Sequence, residues 1–271
     1  MLHDFDERLV LDDAKKQHVI YDEHIVRYRF AAGLARGKKI LDIACGSGYG
    51  TNILSEAGAE SAIGVDADED VVAKARSEYK RGNLEFCLGD AQNLTYEDKS
   101  FDMVSSFETI EHLQDVKSYL GEISRLVKDK GLALISTPNR EVSKEENPFH
   151  LKEYNYDEFL VLLRGYFEYV EILEQGNGIT SYIAPRLFNK NGECVTMYIT
   201  NKPEPVYFLA LCSHSPIDIE SIVLPVASIN PAALRNLYDN PGMKAVNNLY
   251  KLLIRIPGMK RLLSFARKRI D

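Results

Sequence analysis

The chain has 271 residues, of which 45% are hydrophobic and 27% charged, and its formal net charge is −7. This composition is typical of a globular protein with a substantial core, and it excludes collagen-like, coiled-coil and disordered chains. No apolar run approaches the roughly 20 residues of a membrane-spanning helix. Residues 1–10 lack the apolar stretch of a secretory signal, and the four cysteines form no CxxC pair, so a cytoplasmic location is expected.

The charge is unevenly distributed along the chain. Residues 244–271 contain eight basic residues and one acidic residue, a net charge of +7, which leaves −14 for residues 1–243. Nucleic-acid binding depends on neutralising phosphates with basic side chains. The acidic body therefore predicts that nucleic acid is not a partner.

The predicted elements begin with a helical lead-in over residues 1–36 and continue as strands that alternate with helices. Such alternation is typical of βαβ units on a parallel sheet. The predicted strands are Lys39–Ala44, Ser61–Asp66, Leu84–Gly89, Phe101–Phe107, Leu132–Thr137 and Phe167–Glu174. The predicted helices are Tyr49–Ala57, Glu69–Tyr79, Val116–Val127 with Asp115 as its N-cap, and Tyr156–Leu163.

The pattern changes after Gly176. A hairpin inserted at about residues 178–202 is predicted from the runs Ile179–Ala184 and Val195–Thr200. The run Val206–Cys212 is so apolar that it is expected to return to the main sheet. We therefore predict one domain over residues 37–215.

Residues 216–271 are predicted to form a linker and a helical tail. Residues 213–242 hold four prolines and show weak periodicity, which predicts an irregular stretch. The tail shows apolar residues at helical spacing among basic ones in residues 244–270. A basic amphipathic helix can lie on an anionic membrane surface, and the alternative is that its apolar face packs on the domain or in a homodimer.

The most informative segment is ILDIACGSGYG, residues 40–50. A predicted strand enters a turn that contains Gly46 and Gly48, and glycines in such a turn let the backbone approach a ligand closely. Dinucleotide-binding folds also carry a glycine trio at this point. Here the spacing is GxGxG instead of GxGxxG, and Asp42 lies four residues before the first glycine. A carboxylate at that place would repel a pyrophosphate but suits an amine or a sulfonium group.

Two more carboxylates end the next two predicted strands. Asp66 lies in GVDAD, and Asp90 lies in LGDAQ. Because the carboxyl ends of parallel strands meet at one edge of a sheet, both are expected to face the same crevice as Asp42. Asp66 is placed to accept hydrogen bonds from both hydroxyls of a ribose, and Asp90 to meet the exocyclic amine of adenine. An Asp at a strand end is otherwise often a helix cap, a role expected of Asp68.

These motifs, together with FDMVSSFETIEHL and GLALISTPN, resemble the class I S-adenosylmethionine-dependent methyltransferases over about residues 21–213. The resemblance implies an α/β fold, a Rossmann-like, doubly wound sheet of seven mostly parallel strands with an antiparallel final strand. The run Val206–Cys212 would supply that final strand. The implied reaction is methyl transfer from S-adenosyl-L-methionine by in-line SN2 displacement.

The resemblance also implies a cofactor site. Asp42, Gly46 and Gly48 are expected to line the methionine part of S-adenosyl-L-methionine, and Phe107 and Glu108 the floor near its sulfonium. The remaining expected contacts are Asp66, Ala67, Asp90 and Ala91 around the nucleoside, Ala44, Ser47 and Tyr49 in the turn, and Arg27 and Tyr28 in the lead-in helix, which would reach the cofactor carboxylate.

Two histidines are candidates for acceptor chemistry, because a hydroxyl acceptor needs a base and histidine is the usual base near neutral pH. His112 follows the fourth predicted strand, beside the expected methyl position. His150 ends NPFH in the loop after the fifth, where acceptor-binding segments belong. We predict both as catalytic, and the alternative is that each only organises its loop.

A metal is the alternative use of the same segment. Glu108, Glu111 and His112 resemble the divalent-ion site of small-RNA 2′-O-methyltransferases, with His150 as a fourth ligand, and ubiquinone-type O-methyltransferases share the Glu-x-x-Glu-His pattern. The acidic body and the lack of an aromatic and basic stripe argue against an RNA substrate. We predict no metal and leave this alternative open.

The acceptor is predicted from a looser resemblance. The segments TPN, residues 137–139, and NPFHLKEY, residues 147–154, resemble bacterial methyltransferases associated with surface-polysaccharide synthesis. A sugar or glycan acceptor, lipid-linked at the inner membrane face, is therefore expected. The competing hypotheses are a quinone-type small-molecule methyltransferase, an NAD(P)-dependent oxidoreductase, which the GxGxG spacing and Asp42 disfavour, and a cofactor-binding module without catalysis.

Overall fold

The computed structural model describes residues 19–142, 147–177, 180–185, 205–219, 222 and 226–229. The start of the predicted lead-in, the second strand of the predicted hairpin and the predicted tail helices lie outside these residues. The helices are α1 (Val19–Leu34), α2 (Tyr49–Glu56), α3 (Glu69–Glu78), α4 (Val116–Leu126) and α5 (Tyr156–Arg164), with a 3₁₀ turn at Ile110–His112. The strands are β1 (Lys39–Ile43), β2 (Ser61–Asp66), β3 (Leu84–Leu88), β4 (Phe101–Phe107), β5 (Val127–Pro138), β6 (Tyr169–Asn177), β7 (Thr180–Pro185), β8 (Tyr207–Ser213) and β9 (Val226–Ile229).

The strands form one sheet in the order β3-β2-β1-β4-β5-β8-β6-β7-β9. Strands β1 to β5 pair in parallel, and β8 is antiparallel to its neighbours β5 and β6. The predicted Rossmann-like sheet with an antiparallel final strand is therefore confirmed in β1–β6 and β8. The apolar run that was expected to return to the sheet is β8, which inserts between β5 and β6.

Two strands extend the sheet beyond the predicted seven. The first run of the predicted hairpin forms β7, which pairs antiparallel with β6 and with β9. Strand β9 falls in the stretch that was predicted to be irregular, beyond the predicted domain end at residue 215. Four residues are too short to display the alternation by which a strand is recognised in a sequence.

The core lies on both faces of the sheet. Leu41 and Ile43 of β1 belong to one apolar cluster with α4 and α5, whereas Ile40 belongs to another with α1 and α2. Neighbouring strand residues point to opposite faces, so a strand covered on both sides must be apolar throughout. This burial explains the continuous apolar runs in the sequence.

Side-chain caps fix where helices begin beside the sheet. Asp68 accepts hydrogen bonds from the backbone N–H groups of Asp70 and Val71, and Asp115 accepts one from Ser118. Both caps were predicted. Each accepts hydrogen bonds from backbone N–H groups of the first helical turn, which have no partner within the helix. In the part of the chain that the structure describes, no helix combines the length and the apolar character needed to span a bilayer.

Candidate active site

A cavity of about 910 Å³ opens at the carboxyl ends of β1 to β4. Ligands of open α/β sheets bind in this crevice. Thirteen of the predicted site residues line the cavity, and they are Tyr28, Ala44, Gly46, Ser47, Tyr49, Asp66, Ala67, Asp90, Ala91, Phe107, Glu108, His112 and His150. Arg27, Asp42 and Gly48 do not line it.

Each glycine of this turn is needed for a different structural reason. Gly46 has a φ of 54° and no atom within 4 Å of an added Cβ, so it leaves open space at the cavity wall. At Gly48, the N-cap residue of α2, an added Cβ would lie 2.6 Å from Phe86. At Gly50 it would lie 2.0 Å from the ring of Tyr28. Gly48 and Gly50 therefore leave room for the side chains of Phe86 and Tyr28. Of the three glycines, only Gly46 lines the cavity.

Asp66 ties this turn to the end of β2. Its carboxylate accepts hydrogen bonds from the backbone N–H of Gly46 at 2.9 Å and of Asp68 at 3.1 Å. A carboxylate has about four lone-pair positions, so these two bonds orient Asp66 and leave acceptor capacity toward the cavity. Asp90, at the end of β3, accepts from the backbone N–H of Gln92 at 2.9 Å.

Asp42 corrects the sequence prediction, because it lies beneath the turn instead of in the cavity. Its side chain is completely buried. It accepts hydrogen bonds from Thr51 at 2.7 Å, from Ser105 at 2.7 Å and from Tyr28 at 3.2 Å. Burial raises the pKa of Asp42 to about 6, and the three hydroxyls offset part of that rise. Asp42 therefore holds Tyr28, which lines the cavity, and is no wall residue itself.

Arg27 corrects the prediction in the same way. Its guanidinium is completely buried and donates to Gln175 at 2.8 Å. It lies 4.0 Å from Glu108 and stacks over the ring of Tyr207, whose centroid is 4.6 Å away. From the sequence alone, an arginine on a helix is expected to be exposed to solvent, whereas the orientation of α1 directs Arg27 toward β6 and β8. Glu108 and Tyr207 line the cavity, and Arg27 contacts both of them on their buried side without lining the cavity itself.

Two residues of the cavity adopt left-handed backbone that only glycine favours. Ala44 follows β1 with a φ of 56°, and Glu108 follows β4 with a φ of 53°. Such conformations cost of order 1 kcal/mol or more and persist where surrounding bonds hold them. Glu108 is held through Ser136, whose hydroxyl lies 2.6 Å from its carboxylate and accepts from its backbone N–H at 3.1 Å.

A cluster of three polar side chains lies in the part of the cavity where the acceptor was predicted to bind. One ligand atom of each of Glu111, His112 and His150 lies within 4.8 Å of the others. Glu111 is completely buried, and burial together with the neighbouring charge of Glu108 raises its pKa well above the usual range. The two predicted histidines are thus brought together, with ring centroids 4.9 Å apart.

The sequence prediction missed His24 and Tyr207, which also line the cavity. Burial, and next the charge of Arg27, lowers the pKa of His24 well below the usual range, so its imidazole is neutral at pH 7. His24 precedes Tyr28 by one helical turn, and this i, i+4 spacing could have placed both on one face. Tyr207 begins β8, and its sequence holds no signal that distinguishes it from a core residue.

Comparison with known proteins identifies the family. The sequence matches the methyltransferase domain over residues 34–192. The chain belongs to this methyltransferase domain family. The matched range begins at the end of α1 and includes every strand from β1 to β7.

Relatives and solved structures agree with that assignment. A probable S-adenosylmethionine-dependent methyltransferase of Mycobacterium tuberculosis is 34% identical over 158 residues, which cover 56% of this chain and 57% of that protein. A ubiquinone biosynthesis O-methyltransferase of Azorhizobium caulinodans is 33% identical over 40% of this chain and 43% of that protein. The chain thus spans about half the length of the curated relatives it matches.

The fold has matches among solved structures. A SAM-dependent methyltransferase of Thermotoga maritima, described as a possible histamine N-methyltransferase, superposes with a TM-score of 0.54 at 20% identity. The superposition covers 75% of this chain and 95% of that one. At this identity the likeness establishes a shared fold.

Proposed function

We propose that this methyltransferase domain binds S-adenosyl-L-methionine and transfers its methyl group to an oxygen of a sugar or glycan. The observation that carries the proposal is the cavity at the carboxyl ends of β1 to β4, with Gly46, Asp66 and Asp90 on its wall. Asp66 retains acceptor capacity for ribose hydroxyls. A wall lined with carboxylates also suits a cofactor that carries a sulfonium and an ammonium.

The proposed reaction is an in-line displacement at the methyl carbon. The acceptor oxygen forms the new bond as the carbon–sulfur bond breaks, and the electron pair stays on sulfur. A sulfonium is already an activated leaving group, so the protein has mainly to align the acceptor and exclude water. His112 and His150 are the proposed catalytic residues at the acceptor oxygen, because they line the same cavity as Glu108, beside the proposed methyl position.

Polar groups of the cavity support a hydroxyl-rich acceptor. Asn147, His150 and Tyr207 present hydrogen-bonding side chains to the cavity, whereas Phe149 and Leu113 give it apolar surface. The competing acceptor is a quinone-type phenol, favoured by the relative that acts in ubiquinone biosynthesis. The predicted basic tail would bring either acceptor to a membrane surface, and deleting residues 243–271 should then abolish binding to anionic liposomes.

Two measurements test the proposed function. Calorimetry of the full chain with S-adenosylhomocysteine and with NADH tests the cofactor. Asp66→Ala is expected to weaken the affinity for S-adenosylhomocysteine by about tenfold or more, which corresponds to a loss of about 1.4 kcal/mol of binding free energy. Glu60→Gln, an exposed carboxylate with a 58% accessible side chain, is the matched control and should bind as the wild type. A chain that binds NADH but not S-adenosylhomocysteine would refute the proposal that S-adenosyl-L-methionine is the cofactor.

The acceptor is tested with isotopically labelled S-adenosyl-L-methionine. Glycan, quinone and RNA extracts are incubated with the wild-type chain, and the labelled product is identified by mass spectrometry. His112→Ala and His150→Ala are expected to lower turnover while cofactor affinity stays close to that of the wild type. Label on the quinone fraction would replace the sugar acceptor, and label on no fraction would support a cofactor-binding module without catalysis.

A further inference from the structure

His24 brings an imidazole ring to the wall of the cavity. The residue belongs to α1, lines the cavity and is partly exposed. Among the residues that the structure describes, none donates a hydrogen bond to the His24 ring or accepts one from it. A neutral imidazole has one donor and one acceptor nitrogen. The ring can therefore offer both an N–H and a lone pair to a ligand in the cavity.

The position of His24 is fixed by the residues on either side of it. Glu23, the residue before it, accepts a hydrogen bond from the hydroxyl of Tyr207 at 2.7 Å, and its backbone carbonyl accepts from Gln175 at 3.0 Å. After it, Arg27 donates to the same Gln175 at 2.8 Å. These bonds join α1 to β6 and β8, so the helix holds His24 at the cavity.

The same helix reaches the proposed methyl position. Arg27 lies 4.0 Å from Glu108, and the ring centroid of Tyr28 lies 4.9 Å from that of Phe107. Phe107 and Glu108 are the expected floor near the sulfonium. Because His24 precedes Tyr28 by four residues, the two side chains share one face of α1. His24 is therefore placed at the methyl end of the cavity.

The charge state of His24 suits a proton acceptor. Burial, and next the charge of Arg27, lowers the pKa of His24 well below its usual range, so the ring is neutral and has a lone pair at pH 7. Tyr28 and Tyr207 line the same cavity, but burial raises the pKa of both phenols well above 10. Both phenols therefore remain protonated, and neither supplies a phenolate base at pH 7.

The two histidines predicted from the sequence are already engaged by their neighbours. The Nδ1 of His112 lies 3.0 Å from the carbonyl oxygen of Phe149. The Nδ1 of His150 lies 2.6 Å from a carboxylate oxygen of Glu153, and its Nε2 lies 3.0 Å from the side-chain amide of Asn147. A proton from the acceptor would have to compete with these contacts.

Glu108 is the competing base at the methyl end of the cavity. Its carboxylate is bonded to the hydroxyl of Ser136 at 2.6 Å and lies beside the guanidinium of Arg27. A neighbouring positive charge favours the ionised form of a carboxylate and makes it a weaker proton acceptor. The imidazole of His24 has no such competing partner among the described residues.

We propose that His24 is the catalytic base that receives the proton of the acceptor hydroxyl. This assignment rests on the proposed function, in which His112 and His150 contact the acceptor oxygen. The lone pair of that oxygen forms the bond to the methyl carbon, and the electron pair of the carbon–sulfur bond stays on sulfur. The O–H proton passes to the lone-pair nitrogen of His24.

The low basicity of His24 is compatible with this step. An oxygen that has gained the methyl group and still carries its proton is a far stronger acid than an imidazolium. Proton transfer to His24 is therefore favourable once the new bond forms. Burial and the charge of Arg27 then favour release of the proton from the imidazolium to water, which restores the neutral ring for the next turnover.

The test compares the wild-type chain with His24→Gln, since glutamine keeps hydrogen-bonding groups but takes up no proton near neutral pH. Methyl transfer is measured with isotopically labelled S-adenosyl-L-methionine and the glycan or quinone extract. We expect kcat to fall by about hundredfold, while the affinity for S-adenosylhomocysteine stays close to that of the wild type. The matched control is His214→Gln, whose ring stacks on Phe167 and does not line the cavity, and it should turn over as the wild type does.

A second measurement uses the wild-type chain alone. The ¹⁵N chemical shifts of the His24 ring, assigned through its own backbone, should report a neutral imidazole at pH 7. A charged ring at pH 7 overturns the assignment, and this measurement decides if His24→Gln does not fold. Wild-type turnover in a folded His24→Gln rejects the base and keeps the proposed function. A wild-type chain that labels neither extract rejects the proposed function, and the role of His24 with it.

Discussion

Replacing Asp42 by asparagine is expected to change how the free energy of unfolding depends on pH. Burial raises the pKa of Asp42 from 3.8 to about 6. In the unfolded chain the pKa returns to its ordinary value, so between these two values the folded protein binds more protons than the unfolded chain. The contribution of Asp42 to stability is therefore fully present below the unfolded pKa and is lost as the pH rises through about 6.

The size of the effect follows from the shift. One pKa unit corresponds to 1.36 kcal/mol, so a shift of about two units corresponds to about 3 kcal/mol, of which about 2–3 kcal/mol falls between pH 4 and pH 8. Asparagine does not titrate in this range. The free energy of unfolding of the wild type, minus that of Asp42→Asn, is expected to decrease by this amount as the pH rises.

Urea denaturation of both proteins at several pH values between 4 and 8 measures the difference. Other titrating groups are present in both proteins, so their contributions largely cancel. Asp102→Asn is a control of opposite sign: burial alone would raise the pKa of Asp102, but its bonds to Lys128 and to the backbone of Lys39 lower it overall. A difference between wild type and Asp42→Asn that stays constant or increases with pH would refute the reasoning.

Two further predictions concern packing around the cavity. Gly50→Ala places a Cβ 2.0 Å from the ring of Tyr28 and should destabilise the fold by about 1–3 kcal/mol in urea denaturation. In contrast, Gly121→Ala, with no atom within 4 Å of the added Cβ in α4, should stabilise by about 0.5–1 kcal/mol; equal effects would contradict this account. Arg27→Met removes the buried cation beside Glu108 and should cost about 3 kcal/mol at pH 7 by the same method, whereas an unchanged midpoint would show that their pairing contributes no stability.

Much of the fold could be predicted from the sequence, because burial of a parallel sheet on both faces leaves an unbroken apolar run. Strand β8 shows this most clearly, since its composition alone placed it in the sheet. Strand β9 could not be found, because a short edge strand has too few residues to show a period. Its place in the sheet depends on pairing with β7, a contact between distant segments.

The candidate site was predictable where a residue's position on a strand end decides where it points. Asp66 and Asp90 lie at the cavity as expected, because Asp66 ends β2 and Asp90 follows the end of β3 by two residues. Asp42 lies inside its strand, and the sequence cannot tell which of two faces such a residue occupies in a sheet covered on both sides. Arg27 could not be placed either, since its burial depends on Gln175 of β6, 148 residues later in the chain.

The position of β8 has a consequence for how the chain is made. It lies between β5 and β6, yet it is synthesised after both of them. While the ribosome still holds β8, the facing edges of β5 and β6 expose unpaired N–H and C=O groups, the arrangement that invites pairing with another chain. Vectorial synthesis therefore cannot close the centre of this sheet, and the nascent protein has to shield two open edges until residue 213 leaves the exit tunnel.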